Sequence, residues 1–213
     1  MQIIKSRAVI LYPETKEDLK RELSIIEAAG RTAYKSEDRI TENSAIPFIT
    51  NIVKRNHLAV IEFGNMVVRF IVDRGVSHEI VRHRLCSFLQ ESTRYCNYAS
   101  GKFNNEITVI EPAGFDKWNI EQKTQWQNGL EACQEKYNKL IEGGLTPQQA
   151  RAVLPNSLKT EIVVKANFRE WRHIFQLRAV EKAAHPDMRN VMIPLYLKAR
   201  DFCPEIFDLG DPQ

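Results

Sequence analysis

The sequence predicts an α+β fold, and three observations carry that expectation. Apolar residues recur at helical spacing in several windows, most plainly between residues 118 and 142. Short β-branched runs of strand length lie between those windows. No repeat or low-complexity linker divides the 213 residues, so a single domain spanning 1–213 is expected.

The elements follow in order. Residues 3–12 are β-branched and aliphatic and run into Pro13, which reads as a strand and its end. In 17–29, Leu19, Leu23, Ile26 and Ala29 share a helical face, and Gly30 is the expected stop. Residues 44–55 form a second expected helix, with Ser44 placed to cap it. The run 62–72 is apolar almost throughout from Met66 and reads as a strand closed by Asp73-Arg74-Gly75. A helix is expected over 77–85 with Ser77 as its cap. No period holds over 86–98, which predicts an irregular segment, and 107–110 is a short strand.

The clearest helix is 118–142, where Trp126, Leu130, Cys133, Tyr137 and Leu140 form one stripe and Gly143-Gly144 stop it. Thr146-Pro147 opens a short helix toward Leu154. Residues 158–165 carry Ile162, Val163 and Val164 and read as a strand. Asn167 opens the next helix, and Glu170 three residues on predicts a capping box. The last helix is expected over 188–202.

With 43% apolar residues the chain can bury a core. A net charge of +3 suits an anionic substrate and is too weak to indicate nucleic acid by itself. Cys86, Cys96, Cys133 and Cys203 show no CxxC spacing, which reads as reduced thiols in a cytoplasmic protein. The N-terminal apolar stretch is too short for a signal peptide, and no window reaches the ~18 apolar residues of a membrane span. A soluble protein with no membrane partner is expected.

Motifs for two common nucleotide sites are absent: no GxGxxG follows a strand, and there is no GxxxxGK[ST]. His78-Glu79-Ile80-Val81-Arg82-His83 is HExxxH, not HExxH. Five residues apart on a helix, its histidines diverge by about 140°, so no metal is expected.

Residues 82–98 concentrate chemistry: Arg82, His83, Arg84, Gln90, Ser92, Arg94 and Asn97, with Phe88, Tyr95 and Tyr98 interleaved. Forked guanidinium groups bind phosphates, and aromatic rings stack on flat ligands. On a helix Arg82 and Arg84 would point about 200° apart, toward two ligands and not one. Taken alone, such a stretch is ordinarily a solvated basic face. A nucleic-acid patch is the sharper alternative, although the basic residues do not continue into neighbouring elements.

The pattern Arg82-His83-Arg84, seven residues, Ser92, then Arg94-Tyr95 resembles the signature of the flavin-dependent thymidylate synthases. His57 upstream, Ala150-Arg151-Ala152-Val153-Leu154-Pro155, and Asn167-Phe168-Arg169 through His173 to Arg178 resemble further blocks of that family, in register over about 45–200. Singly these residues have plain readings: Asn167 as a helix cap, His57 and His173 as ordinary histidines, Arg151 and Arg178 as surface salt-bridge partners. The joint pattern carries the resemblance.

The resemblance implies a mostly antiparallel twisted central sheet packed against helices, in a homotetramer with shared active sites. It implies FAD as cofactor and dUMP as substrate, with NADPH and 5,10-methylenetetrahydrofolate as co-substrates and dTMP as product. Arg82, His83 and Arg84 would sit at the FAD, with Asn167, Phe168, Arg169 and His173. Glu79, Arg82, Gln90, Glu91, Ser92, Thr93 and Arg94 would line the dUMP pocket, Gln90 also reaching the FAD. Arg151 of a neighbouring subunit would meet the phosphate, and Arg178 would be catalytic at the uracil edge. His57 would lie near flavin and folate. The chain departs from the commoner pattern at Glu79, where Gln is frequent, at Gln90, where Glu is frequent, and at Ala59, which replaces a flavin-contacting Thr. Two rivals stay open: a colourless nucleic-acid-binding module, and a flavoprotein with another substrate.

Overall fold

A computed structural model describes all 213 residues, Met1–Gln213. Its strands are β1 (Gln2–Ile4), β2 (Arg7–Tyr12), β3 (Asn65–Asp73), β4 (Ser87–Gln90), β5 (Thr108–Ile110) and β6 (Lys159–Asn167). Its α-helices are α1 (Lys16–Tyr34), α2 (Ala45–Lys54), α3 (Arg74–Ile80), α4 (Ile120–Glu142), α5 (Pro147–Ala150), α6 (Phe168–Phe175), α7 (Pro186–Phe202) and α8 (Pro204–Phe207). The α+β class is as expected. The first expected strand is two, parted at Lys5-Ser6 because each half has a different partner. β1 pairs in parallel with β5, while β2 belongs to a four-stranded sheet ordered β2-β3-β6-β4. The chain gathers into two compact units, Met1–Arg7 with Ile71–Arg82 and Leu89–Ile162, and Ala8–Phe70 with His83–Phe88 and Val163–Gln213.

In the first unit the stripe of α4 covers a core of Tyr98, Ile107, Val109, Ala150 and Leu158. Leu130 and Tyr137 are buried in it, with Trp126 and Leu140 half-buried against it, as the periodicity predicts. α4 starts two residues later than predicted because Asn119 and Gln122 form a capping box. α3 starts earlier than predicted. The Asp73 carboxylate accepts from the Val76 N–H at 2.8 Å and caps the helix, so Ser77 is not the cap. Ser77 is inside α3, fully buried, donating its hydroxyl to the Arg74 carbonyl.

α3 also ends at Ile80, well short of residue 85. Arg82-His83-Arg84 therefore lies in a turn, and the opposite-face geometry of a helix does not apply to its arginines. The segment 86–98, expected to be irregular, holds β4 before it turns at Ser92. Four residues are too few to show a period, and β4 gains its order by lying next to β6 in the sheet.

In the second unit α1 runs past Gly30 to Tyr34 and stops at Lys35, which takes the left-handed conformation with φ 48°. Gly30 serves close approach. A Cβ there would stand 2.6 Å from the Phe48 ring and 2.8 Å from Val60. Ser44 occupies the cap position of α2, but its hydroxyl turns to the buried Glu27 carboxylate at 2.9 Å, and no side-chain cap forms. The run predicted as a strand from residue 62 begins at Asn65, after a 3₁₀ segment Leu58–Phe63.

Asn167 caps α6 by accepting from the Glu170 N–H at 2.8 Å. The second half of the expected box is missing, because the Glu170 carboxylate is buried facing His83. Trp171 is fully buried, donates its indole N–H to the Met66 carbonyl at 3.0 Å, and packs on Phe70 and Phe175. Between α6 and α7, residues Gln176–Val180 widen into a π-helical turn.

Candidate active site

In the second unit the predicted residues gather around His83. This histidine is buried, 7% exposed, and its Nε2 lies 3.2 Å from Nε of Arg178. A guanidinium only donates, so Nε2 carries the lone pair and the proton sits on Nδ1. Nδ1 faces Oε1 of buried Glu170 at 3.8 Å, and the His173 ring packs edge-on at 6.0 Å. Burial first, then the Arg178 and His173 charges, hold the His83 pKa down at about 4. His83 is thus a neutral acceptor for Arg178, set between a cation and an anion. Arg178 itself sits in the π turn, which no periodic reading of the sequence foretells.

That depressed pKa has a stability consequence. The unfolded chain protonates this histidine near pH 6.5, whereas the native state resists until about 4. Its contribution is therefore complete above pH 6.5 and is lost as pH falls toward 4, by roughly 2 kcal/mol after allowance for solvent screening. Urea unfolding of wild type and His83→Asn at pH 7 and pH 5 checks this. The variant is expected to lose less stability across that interval, and equal losses would refute the assignment.

A cavity of about 800 Å³ lies beside this cluster, lined by Leu58, Glu62, Leu85, Asn167, Arg169, Glu170, Arg172, His173, Gln176 and Leu209. Its chemistry fits a flavin nucleotide. Leu58, Leu85 and Leu209 offer apolar wall to a flat ring, and the exposed Arg169 and His173 offer donors to phosphate and ring oxygens. Arg169 is paired with Glu62 at 2.6 Å at the exposed rim. His57 and Ala59 line a neighbouring pocket of about 400 Å³ with Tyr34 and Arg169, and the Tyr34 hydroxyl is 2.8 Å from His57 Nδ1. Phe168 is fully buried against Phe207 and Gly64, so its side chain belongs to the core. Arg84 is exposed on the turn and makes no ion pair.

In the first unit a second cavity, about 480 Å³, is lined by Arg74, His78, Thr93, Arg151, Asn156 and neighbours. Arg151 donates to the Thr93 hydroxyl at 3.2 Å, joining the Ala150-to-Pro155 block to the 90–94 segment within one chain. Arg94 is held by Gln148 at 2.9 Å and lies over the Tyr95 ring. The Ser92 hydroxyl accepts from the Arg94 N–H at 3.3 Å. Glu91 pairs with Lys159 at 2.8 Å and accepts from the Tyr98 hydroxyl at 2.8 Å. Gln90 donates its amide to Ser77 and Thr160. Glu79 is half-buried near the end of α3, and Arg82 is exposed just beyond it.

Sequence reasoning missed Glu170 as the partner of His83, since its spacing from Asn167 reads as a capping box. It also missed Arg74, Ser77, Thr160 and Lys159, ordinary core and turn positions by pattern alone. Burial and Glu170 push the Cys86 thiol up to about 12, and burial and Glu91 raise Cys96.

Residues 16–205 match the family model described as thymidylate synthase complementing protein. A flavin-dependent thymidylate synthase of Corynebacterium glutamicum is 31% identical over 212 residues, covering 91% of this chain and 82% of its own. One from Geobacter sulfurreducens is 28% identical over 192 residues, covering 86% and 80%. In fold, the chain is similar to a solved UMP/dUMP methylase, PolB from Streptomyces cacaoi bound with 5-Br dUMP. The TM-score is 0.75 at 18% identity, over 98% of this chain and 96% of that one.

Proposed function

The chain belongs to the thymidylate synthase complementing protein family, whose relatives are named flavin-dependent thymidylate synthases, and from that premise we propose that it converts dUMP to dTMP. The observation that carries the proposal is the bond between Arg151 and Thr93. It closes a cavity that holds the guanidinium groups of Arg74 and Arg151 with Thr93 and Asn156, cationic and hydrogen-bonding side chains that suit a nucleotide monophosphate, at the Thr93 end of the 90–94 segment.

Arg151, with Thr93, takes the phosphate. Ser92 and Arg94 lie along the nucleotide, with Gln90, Glu91, Glu79 and Arg82 completing its pocket. Arg178, steadied by neutral His83, holds the uracil edge, where its fixed charge favours the polarised ring. Asn167, Arg169 and His173 hold FAD with His83 and Arg84, and His57 and Ala59 stand at its ring edge near the folate. When bound, FAD supplies the redox chemistry, reduced by NADPH and giving the hydride that completes a methyl group derived from 5,10-methylenetetrahydrofolate. The protein supplies orientation, which contributes several kcal/mol (an order of magnitude) when reacting rings are held together.

The working form is a homotetramer with shared sites, each chain forming one functional domain. Support comes from Leu85, Leu89 and Tyr95, which are 76%, 77% and 79% exposed on and around the motif segment and offer apolar surface to another copy. Because Arg151 is bonded to Thr93 of its own chain, it takes the phosphate together with the 92–94 segment of that same chain. The compartment proposed is the cytoplasm, with no nucleic-acid partner; no helix is long and apolar enough to cross a membrane.

The test is a spectrum and an assay. The purified protein is expected to absorb near a flavin's ~450 nm band and to form dTMP from dUMP, methylenetetrahydrofolate and NADPH. A colourless protein that takes up no added FAD would sink the reading.

A further inference from the structure

Ser77 is fully buried in α3, and its only hydroxyl proton is committed to the Arg74 carbonyl 2.9 Å away. Its oxygen is left able only to accept. Gln90, at the end of β4, reaches that oxygen at 3.0 Å and the hydroxyl of buried Thr160 on β6 at 3.1 Å. The Gln90 atom facing Ser77 must therefore be the amide nitrogen, since the carbonyl oxygen would set acceptor against acceptor. Both N–H bonds of the carboxamide are spent on buried hydroxyls. Oε1 is what remains to meet a ligand.

We propose that Ser77, with Thr160, is a positioning residue that fixes the Gln90 carboxamide so that Oε1 accepts from a donor on the bound nucleotide. This rests on the reading of residues 90–94 as the nucleotide pocket. The donor is neutral, either the imide N–H of the base or a sugar hydroxyl. The arrangement selects a carboxamide at position 90. A carboxylate would press an acceptor on Ser77, which could answer only by releasing the Arg74 carbonyl. Thr160 makes no such demand, because no carbonyl holds its hydroxyl proton and it can turn to donate. Ser77 is thus the group that decides.

Calorimetric titration of dUMP into the flavin-loaded full chain tests this, with Ser77→Ala, Gln90→Glu and the double variant. Ser77→Ala is expected to weaken dUMP about fivefold and Gln90→Glu about tenfold or more. The double variant is expected to bind no worse than Gln90→Glu alone, because the committed hydroxyl is gone. In turnover the Ser77→Ala loss should fall on the KM for dUMP, with kcat within about twofold of wild type. Additive losses in the double variant, or a Ser77→Ala that binds as wild type, overturn the proposal.

Two analogues name the donor, 3′-deoxy-dUMP and N3-methyl-dUMP. The one whose affinity no longer separates wild type from Ser77→Ala lacks the group that Oε1 accepts from. If both still separate them as dUMP does, the proposal is overturned. Should Ser77→Ala not fold, Gln90→Glu decides alone, and dUMP affinity equal to wild type overturns it. A wild-type chain that binds no dUMP fails at the pocket itself, a result distinguishable from all of these.

Discussion

Arg178→Ala is expected to lower dUMP-dependent turnover by about 10²–10³-fold while FAD stays bound. The magnitude is that of removing one preorganised charge at the reacting edge. Retention of FAD follows from position. The cavity that fits the flavin is lined by Asn167 at the cap of α6 and by Arg169 and His173 on that helix, whereas Arg178 sits in the π turn beyond it, with Nε on His83. Arg178→Lys keeps the charge and loses the fork, and should recover only part of the rate. Single-turnover oxidation of the reduced flavin by dUMP and folate separates this from a binding defect. Turnover near wild type in the alanine variant would show that Arg178 has another role.

Trp171→Ala is expected to destabilise the protein by about 3–5 kcal/mol, the range for truncating a fully buried aromatic side chain. The indole packs on Phe70 and Phe175, and its N–H serves the Met66 carbonyl at 3.0 Å, which truncation leaves without that donor. Such a loss is a large part of a typical domain's stability. Because Trp171 stands between Arg169 and His173 on α6, the same change should release FAD before global unfolding. Urea unfolding, followed in parallel by flavin fluorescence and circular dichroism, checks both. A midpoint shift worth under about 1 kcal/mol would mean that the cavity collapses or fills with water at little cost.

Long elements with a steady period were legible in the sequence. The stripe of α4 buries Leu130 and Tyr137 and half-buries Trp126, Cys133 and Leu140, and α6 buries Phe168, Trp171, Ile174 and Phe175. Helix ends were less so, because several residues nearby offer similar chemistry. Asp73 and Ser77 are both good caps, and the buried carboxylate won the place. Gly30 reads as a stop and is a contact, a distinction that needs Phe48 and Val60 in view. The site residues were legible through the resemblance, but their partners were not. Nothing in the spacing of His83, Glu170 and Arg178 announces that they meet, since their 3.2 and 3.8 Å separations are made by tertiary packing.

The π turn at Gln176–Val180 bears on how chains of this kind are aligned. A π turn is an α-helical turn carrying one surplus residue. Deleting one residue there would restore α-helical spacing with the chain beyond nearly in place, because the wide turn absorbs the surplus residue, while residues within the turn would move by one helical position, about 100° around the axis. A one-residue gap at 176–180 is therefore no neutral length change. It aims Arg178 elsewhere while leaving every motif letter in place, so a search by composition alone would score the altered chain as intact.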